Sequence, residues 1–124
     1  MKLRFRENSV RLRVNRREVN QLAAGNAIEE AVSFPNSASL KYIIEASTND
    51  EPLISFKNGV LRVTAPLAQL RNWAHAEASI GLYFQLPAGE SMLRVSIEKD
   101  LQCVDGPAGE FDPDAYPRQT RTNC

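Results

Sequence analysis

Leu93-Arg94-Val95-Ser96-Ile97-Glu98 repeats the form of Leu40-Lys41-Tyr42-Ile43-Ile44-Glu45: a leucine, a base, an apolar residue, one free position, an isoleucine and a glutamate. The echo extends upstream of both copies. Pro35 answers to Pro87, Phe34 to Leu86, Val32 to Phe84 and Ile28 to Ile80. Val19, Leu22 and Ala23 answer to Leu70, Trp73 and Ala74, and Leu12-Arg13-Val14 answers to Leu61-Arg62-Val63. Leu3 and Phe5 answer to Ile54 and Phe56. The offset stays between 49 and 53 residues, so the chain reads as a tandem duplication over residues 1–47 and 53–103.

Each copy reads as strand-strand-helix-strand-strand. Leu3 and Phe5 alternate with Lys2, Arg4 and Arg6, the period-two pattern of a half-buried strand. After a turn at Glu7-Asn8-Ser9, Val10, Leu12 and Val14 alternate with Arg11 and Arg13 on the return strand. Asn15 followed by Glu18 predicts a capping box for a helix from Arg16 to Ala24, stopped at Gly25-Asn26. Ile28, Val32 and Phe34 predict a third strand, although Glu30 interrupts its apolar face, and Leu40, Tyr42 and Ile44 a fourth.

A polar six-residue hinge, Ser47 to Pro52, leads into the second copy. Ile54 and Phe56, the hairpin turn Asn58-Gly59, then Leu61 and Val63 repeat the opening. Thr64 is the expected cap of a second helix carrying Leu67, Leu70, Trp73 and Ala74. Ile80, Leu82, Phe84 and Leu86 predict the next strand, and Leu93, Val95 and Ile97 the last, running on toward Leu101 and Cys103. Residues 104–124 contain Gly106, Pro107, Gly109, Pro113 and Pro117, which predict an extended or partly disordered tail with Phe111 and Tyr116 as anchors. The expectation is one α+β domain over 1–124: an antiparallel-rich sheet, left open or closed toward a barrel, with two helices.

Function is less legible. No apolar run approaches the ~20 residues needed to span a bilayer, and the alternating N-terminus does not build a signal core. Cys103 and Cys124 are too few for a disulfide scaffold, so a cytoplasmic protein is expected. The formal net charge is zero, yet residues 1–20 hold seven bases against two acids. Alternation places Arg4, Arg6, Arg11, Arg13, Lys41, Lys57, Arg62 and Arg94 opposite the apolar set, joined regularly only by Glu45 and Glu98. Arginine forks hold phosphates well, so Arg4, Arg6, Arg11, Arg13, Lys41, Arg62 and Arg94 are the candidate anion-binding residues. The competing reading is a solvated sheet face whose charges discourage edge pairing. Phe5, Phe56 and Phe84 fall on the apolar side, which argues against nucleic acid as the anion.

Other candidates are thinner. His75 is the one histidine and reads as a helix-end residue. Cys103 has no evident base beside it, and Glu110, Asp112 and Asp114 lack the pattern of a calcium loop. Glu45 and Glu98 could do acid-base work if the two-fold brought them together. Phosphate-loop, dinucleotide, zincin and nucleophile-elbow motifs are absent, so no catalytic residue, metal or cofactor is assigned.

Asn8 to Arg13, Leu40 to Ser47, Glu98 to Cys103 and Asp114 to Pro117 together resemble a family of short, uncharacterised bacterial proteins classed as a domain of unknown function. The resemblance implies a bacterial, cytoplasmic, single-domain protein and brings no catalytic residues. In architecture the duplicated basic sheet is also similar to the triphosphate-tunnel enzymes, whose bases hold polyphosphate and whose acids hold magnesium. Lys2, Arg4 and Arg6 stand where that family has alternating glutamates. The expected function is a non-enzymatic binding or interaction domain. The alternative is an anion or phosphate binder, or a polyphosphate-type hydrolase, using the arginine-rich face. Self-association through sheet edges is a third expectation.

Overall fold

The alternating opening folds as read. In the computed structural model, which describes residues 1–101, 113, 114 and 116, strand β1 (Lys2–Arg6) turns at Glu7-Asn8 and returns as β2 (Ser9–Val14). Helix α1 (Arg16–Ala23) follows, with the expected capping box closed in both directions: the Glu18 amide donates to Asn15 Oδ1, and the Asn15 amide donates to Glu18 Oε1, each at 3.0 Å. The helix buries Val19 and Leu22 and ends ahead of Gly25, whose φ of 89° suits a residue without a Cβ. Strands β3 (Ile28–Ser33) and β4 (Ser39–Ser47) complete the first copy.

The second copy gives β5 (Leu53–Lys57), β6 (Val60–Pro66), α2 (Leu67–His75), β7 (Gly81–Ala88) and β8 (Ser91–Lys99). Asn58 and Gly59 both take positive φ, as a tight hairpin turn requires. Thr64 is not the cap of α2. Pairing with β4 carries β6 on through Pro66, which itself occupies the cap position without a side-chain bond, and the Thr64 hydroxyl donates instead to Glu45 Oε1 at 3.5 Å. The last strand stops at Lys99. Leu101 makes only an isolated bridge with Tyr116, and Cys103 lies outside the described residues, as do Phe111 and most of the predicted tail.

The strands form two open four-stranded sheets, β1-β2-β8-β7 and β3-β4-β6-β5. Each sheet takes one hairpin from each copy, joined by a central parallel pair, β2 with β8 and β4 with β6. A lone hairpin is marginal in water, so neither copy supplies a complete sheet by itself. The pseudo-two-fold exchanges the two sheets, and the registers define its partners. Leu12 faces Leu3 as Val63 faces Ile54, so Val63, rather than Leu61, is the counterpart of Leu12. Likewise Leu82, rather than Ile80, is the counterpart of Ile28. A two-residue slip leaves every side chain on the same face, so the apolar pattern alone does not detect it.

Both inner faces and both helices feed one core. Leu12, Ile97, Ile44, Val63, Leu22, Leu70 and Trp73 are all buried in it, each such aliphatic side chain contributing roughly 1.5–3 kcal/mol. The edge strands β1 and β5 are largely exposed and carry bases, which discourages pairing with another chain.

Glu30, the acid on an apolar face, closes a polar box. The Met1 ammonium lies 2.7 Å from Glu30 Oε1 and 2.9 Å from Glu18 Oε2, and the Tyr42 hydroxyl donates to Glu30 Oε2 at 2.9 Å. Burial alone would lower the ammonium pKa, but the bonds to Glu30 and Glu18 raise it above 8.0. Burial, then Glu30, pushes Tyr42 up to about 12 from 10.0. Both groups titrate higher folded than unfolded, so their stabilisation is complete below pH 8.0 and is lost as pH climbs through the folded values. Thermal melts should therefore show a falling midpoint above about pH 8, with a shallower fall in Glu30→Gln. Equal alkaline slopes in the two proteins would contradict the box.

Two further charges are buried where the tail returns. Lys99, 4% exposed, donates to the Ala76 carbonyl at 3.0 Å and lies over the rings of Trp73 and Tyr116. Burial pushes its pKa down. Asp100 pairs with Lys2 at 2.9 Å, and its carbonyl accepts from the Tyr116 amide at 2.7 Å. Tyr116 thus anchors the returning chain against the core, as its aromatic character predicts.

Candidate functional site

The inner faces turn toward the common core, so the two outer faces look away from it. The structure divides the seven candidate bases between them. Arg4, Arg6, Arg11, Arg13 and Arg94 share the face of β1-β2-β8-β7, whereas Lys41 and Arg62 lie on the other sheet.

Strand register arranges the first face in three rows. Arg6, Ser9, Arg94 and Gln85 lie side by side; next come Arg4, Arg11, Ser96 and Tyr83; then Lys2, Arg13, Glu98 and Gly81. A groove of about 570 Å³ crosses it, lined by Arg6, Arg11, Arg94, Tyr83, Gln85 and Glu98 among others. Six bases, Lys2, Arg4, Arg6, Arg11, Arg13 and Arg94, stand here against Glu98, the turn residue Glu7 and Asp100, which pairs with Lys2. The equivalent face of the other sheet carries Lys41, Lys57 and Arg62 against Glu29 and Glu45.

The bases on the first face differ in what holds them. Arg11 Nε lies 2.9 Å from Glu98 Oε1, close enough for an ion pair although the approach is not aligned for a hydrogen bond. Its two-fold counterpart is Arg62, which donates to both oxygens of Glu45 at 3.0 Å. The pair recurs in both sheets, which marks it as part of the scaffold. Arg94 sits 3.6 Å from Glu7, a loose and exposed contact of small energetic weight. Arg4, Arg6 and Arg13 form no ion pair among the described residues and are exposed.

Tyr83 is the residue that sequence reasoning missed. Its signal was available, because it alternates with the inward Leu82 and Phe84 and therefore points outward among the arginines. Its hydroxyl donates to Glu98 Oε2 at 3.1 Å, and burial, then the Glu98 charge, raises its pKa. Glu98 is thus engaged from both sides, by Arg11 and Tyr83.

The remaining candidates do not converge. Glu45 and Glu98 lie on different sheets with separate partners, so the two-fold does not pair them for acid-base work. His75 is exposed at the end of α2. Asp114 pairs with Arg17 at 3.0 Å, and Glu110, Asp112 and Cys124 lie outside the described residues. Among the described residues no group of three or more His, Cys, Asp or Glu is placed to hold a metal ion, and no helix is long and apolar enough to cross a membrane.

These features define an α+β protein of two helices and two four-stranded mixed sheets, each sheet taking one hairpin from each half of the chain, with one outer face basic. The sequence profile of a family of unknown function (DUF7009) matches residues 1–120, and the chain belongs to that family. Curated proteins and solved structures give no match.

Proposed function

We propose that this protein is a non-enzymatic binding domain that holds phosphate-bearing anions on the outer face of the β1-β2-β8-β7 sheet. The observation that carries the reading is the clustering of Arg4, Arg6 and Arg13 in successive rows of one face, three guanidinium groups without ion pairs among the described residues, with Arg6 lining the groove. A face built only for solubility would mix both signs, as the opposite sheet does with Lys41, Lys57, Arg62, Glu29 and Glu45. Guanidinium groups are weakly hydrated and present several donors in a plane, which suits them to phosphate oxygens. Binding, as opposed to hydrolysis, is favoured because the groove carboxylate Glu98 is already engaged by Arg11 and Tyr83. A cytoplasmic setting belongs to the same reading, since two cysteines in 124 residues fit a reducing compartment.

Calorimetric titration with short-chain inorganic polyphosphate tests it. Affinity should fall linearly with salt on logarithmic axes between about 50 and 200 mM, as displaced counterions require. Absence of binding at the lower salt would remove the proposal.

A further inference from the structure

We infer that the anion this face takes is single-stranded nucleic acid, with one base stacked on the Tyr83 ring and neighbouring phosphates on the arginines. The inference rests on the anion-binding reading above and adds to it the class of ligand.

Tyr83 has the properties of a stacking platform. It is 66% exposed, yet its hydroxyl is tied to Glu98, so the ring is both accessible and fixed. Gly81 makes this possible. A Cβ at position 81 would lie 2.9 Å from the Tyr83 hydroxyl oxygen and 3.0 Å from Cζ, so the ring lies back along β7 over the space that glycine leaves. An aromatic ring held against a sheet stacks with any base, because every base presents a π-face.

The surroundings supply the rest of a nucleotide's needs. Arg94 stands one strand away and one row over, roughly 8 Å between Cα atoms from ordinary sheet spacings, within reach of a phosphate attached to a base on Tyr83. Gln85 sits beside Arg94 and offers an amide to a base edge. The basic area then continues through Arg11 and Arg13 on β2 to Arg4 and Arg6 on β1, so that from Tyr83 on β7 the face spans four strands, about 14 Å, which is more than one mononucleotide covers. A polymer of phosphates fits that extent, and an unpaired strand fits the open ring, since duplex bases show only their edges.

The duplication provides an internal comparison. On the other sheet, the counterparts of Tyr83 and Gln85 are Glu29 and Ala31, and Ala27 precedes β3 at the position equivalent to Gly81. The counterparts of Arg4 and Arg13 are Ser55 and Thr64. Lysines stand in for Arg6 and Arg94 there, as Lys57 and Lys41, but the aromatic ring, the glycine and the arginines at positions 4 and 13 have no equivalent. The scaffold does not require them, because the same scaffold stands without them on the other side.

Fluorescence anisotropy of a labelled single strand of roughly 12 nucleotides, titrated with the full chain, tests the assignment. Tyr83→Phe keeps the ring but loses the bond to Glu98 that fixes it, and should lose affinity by less than Tyr83→Ala does. Tyr83→Ala should lose about tenfold in affinity with an unchanged salt slope, because stacking involves no counterions. Gly81→Ala should weaken binding in the same direction by lifting the ring. If Tyr83→Ala binds the strand as tightly as the parent while polyphosphate also binds, the nucleic-acid inference fails and the anion face stands. If neither polyanion binds at low salt, both fail.

Discussion

Trp73→Ala should lower the stability of the protein by about 3–5 kcal/mol, the range for emptying a large aromatic site in a core. Trp73 is 2% exposed and lies on the helix that packs against α1 and both halves of the sheet system. Its indole N–H also donates to the Ile80 carbonyl at 3.1 Å, which fixes the chain leaving α2 for β7. The same ring lies 5.8 Å from the Lys99 ammonium, so its removal strips a buried cation of one of the two faces that compensate it. Against a total of about 5–15 kcal/mol, such a loss consumes a large part of the stability. Urea unfolding should show a midpoint reduced in proportion with little change in slope. Trp73→Phe, which retains most of the volume but not the N–H, should lose about 1–2 kcal/mol. A midpoint for Trp73→Ala within error of the parent would mean that the core is not organised around this helix.

Much of the fold was legible in the sequence because its determinants are local. Alternation specified the strands, Asn15 with Glu18 specified the start of α1, and Asn58-Gly59 specified a hairpin. What was not legible depends on pairing at long range. The sequence shows two like copies but not that each sheet combines hairpins from both, because no residue type encodes a parallel partner many positions away. The register of the duplication slipped by two at Leu12 and Ile28 for the same reason. Thr64 looked like a cap because its type suits one; the ladder to β4 determined its role instead.

The basic face was legible as a set of outward bases, and the structure sorts that set. Lys41 and Arg62 belong to the opposite side, and Arg11 is held by Glu98 in a pair that both sheets repeat. Arg11→Ala is accordingly a poor probe of binding, since it also strips Glu98 of its cation. Arg4, Arg6 and Arg13 are better probes, being exposed and unpaired among the described residues. Glu30 shows the converse. It looked like a flaw in a strand, and its purpose appears only when Met1 and Tyr42, distant in sequence, arrive beside it.

The largest functional effect should follow from removing those three arginines together. Each phosphate contact is worth about 1 kcal/mol at an exposed site, so Arg4→Ala, Arg6→Ala and Arg13→Ala combined should weaken polyanion binding roughly 100-fold. The salt slope should fall by about two, and thermal stability should hold or rise as repulsion between neighbouring bases is relieved. The opposite sheet supplies the control: Lys41→Ala with Lys57→Ala removes two bases from the other outer face, at the counterparts of Arg94 and Arg6. The decisive measurement is a side-by-side titration of the parent and both variants with one polyanion at one salt concentration. The account predicts near-parent affinity for the Lys41/Lys57 variant and near-abolished binding for the Arg4/Arg6/Arg13 variant. Equal losses in the two would show diffuse charge attraction without a site, and would contradict the assignment of function to one face.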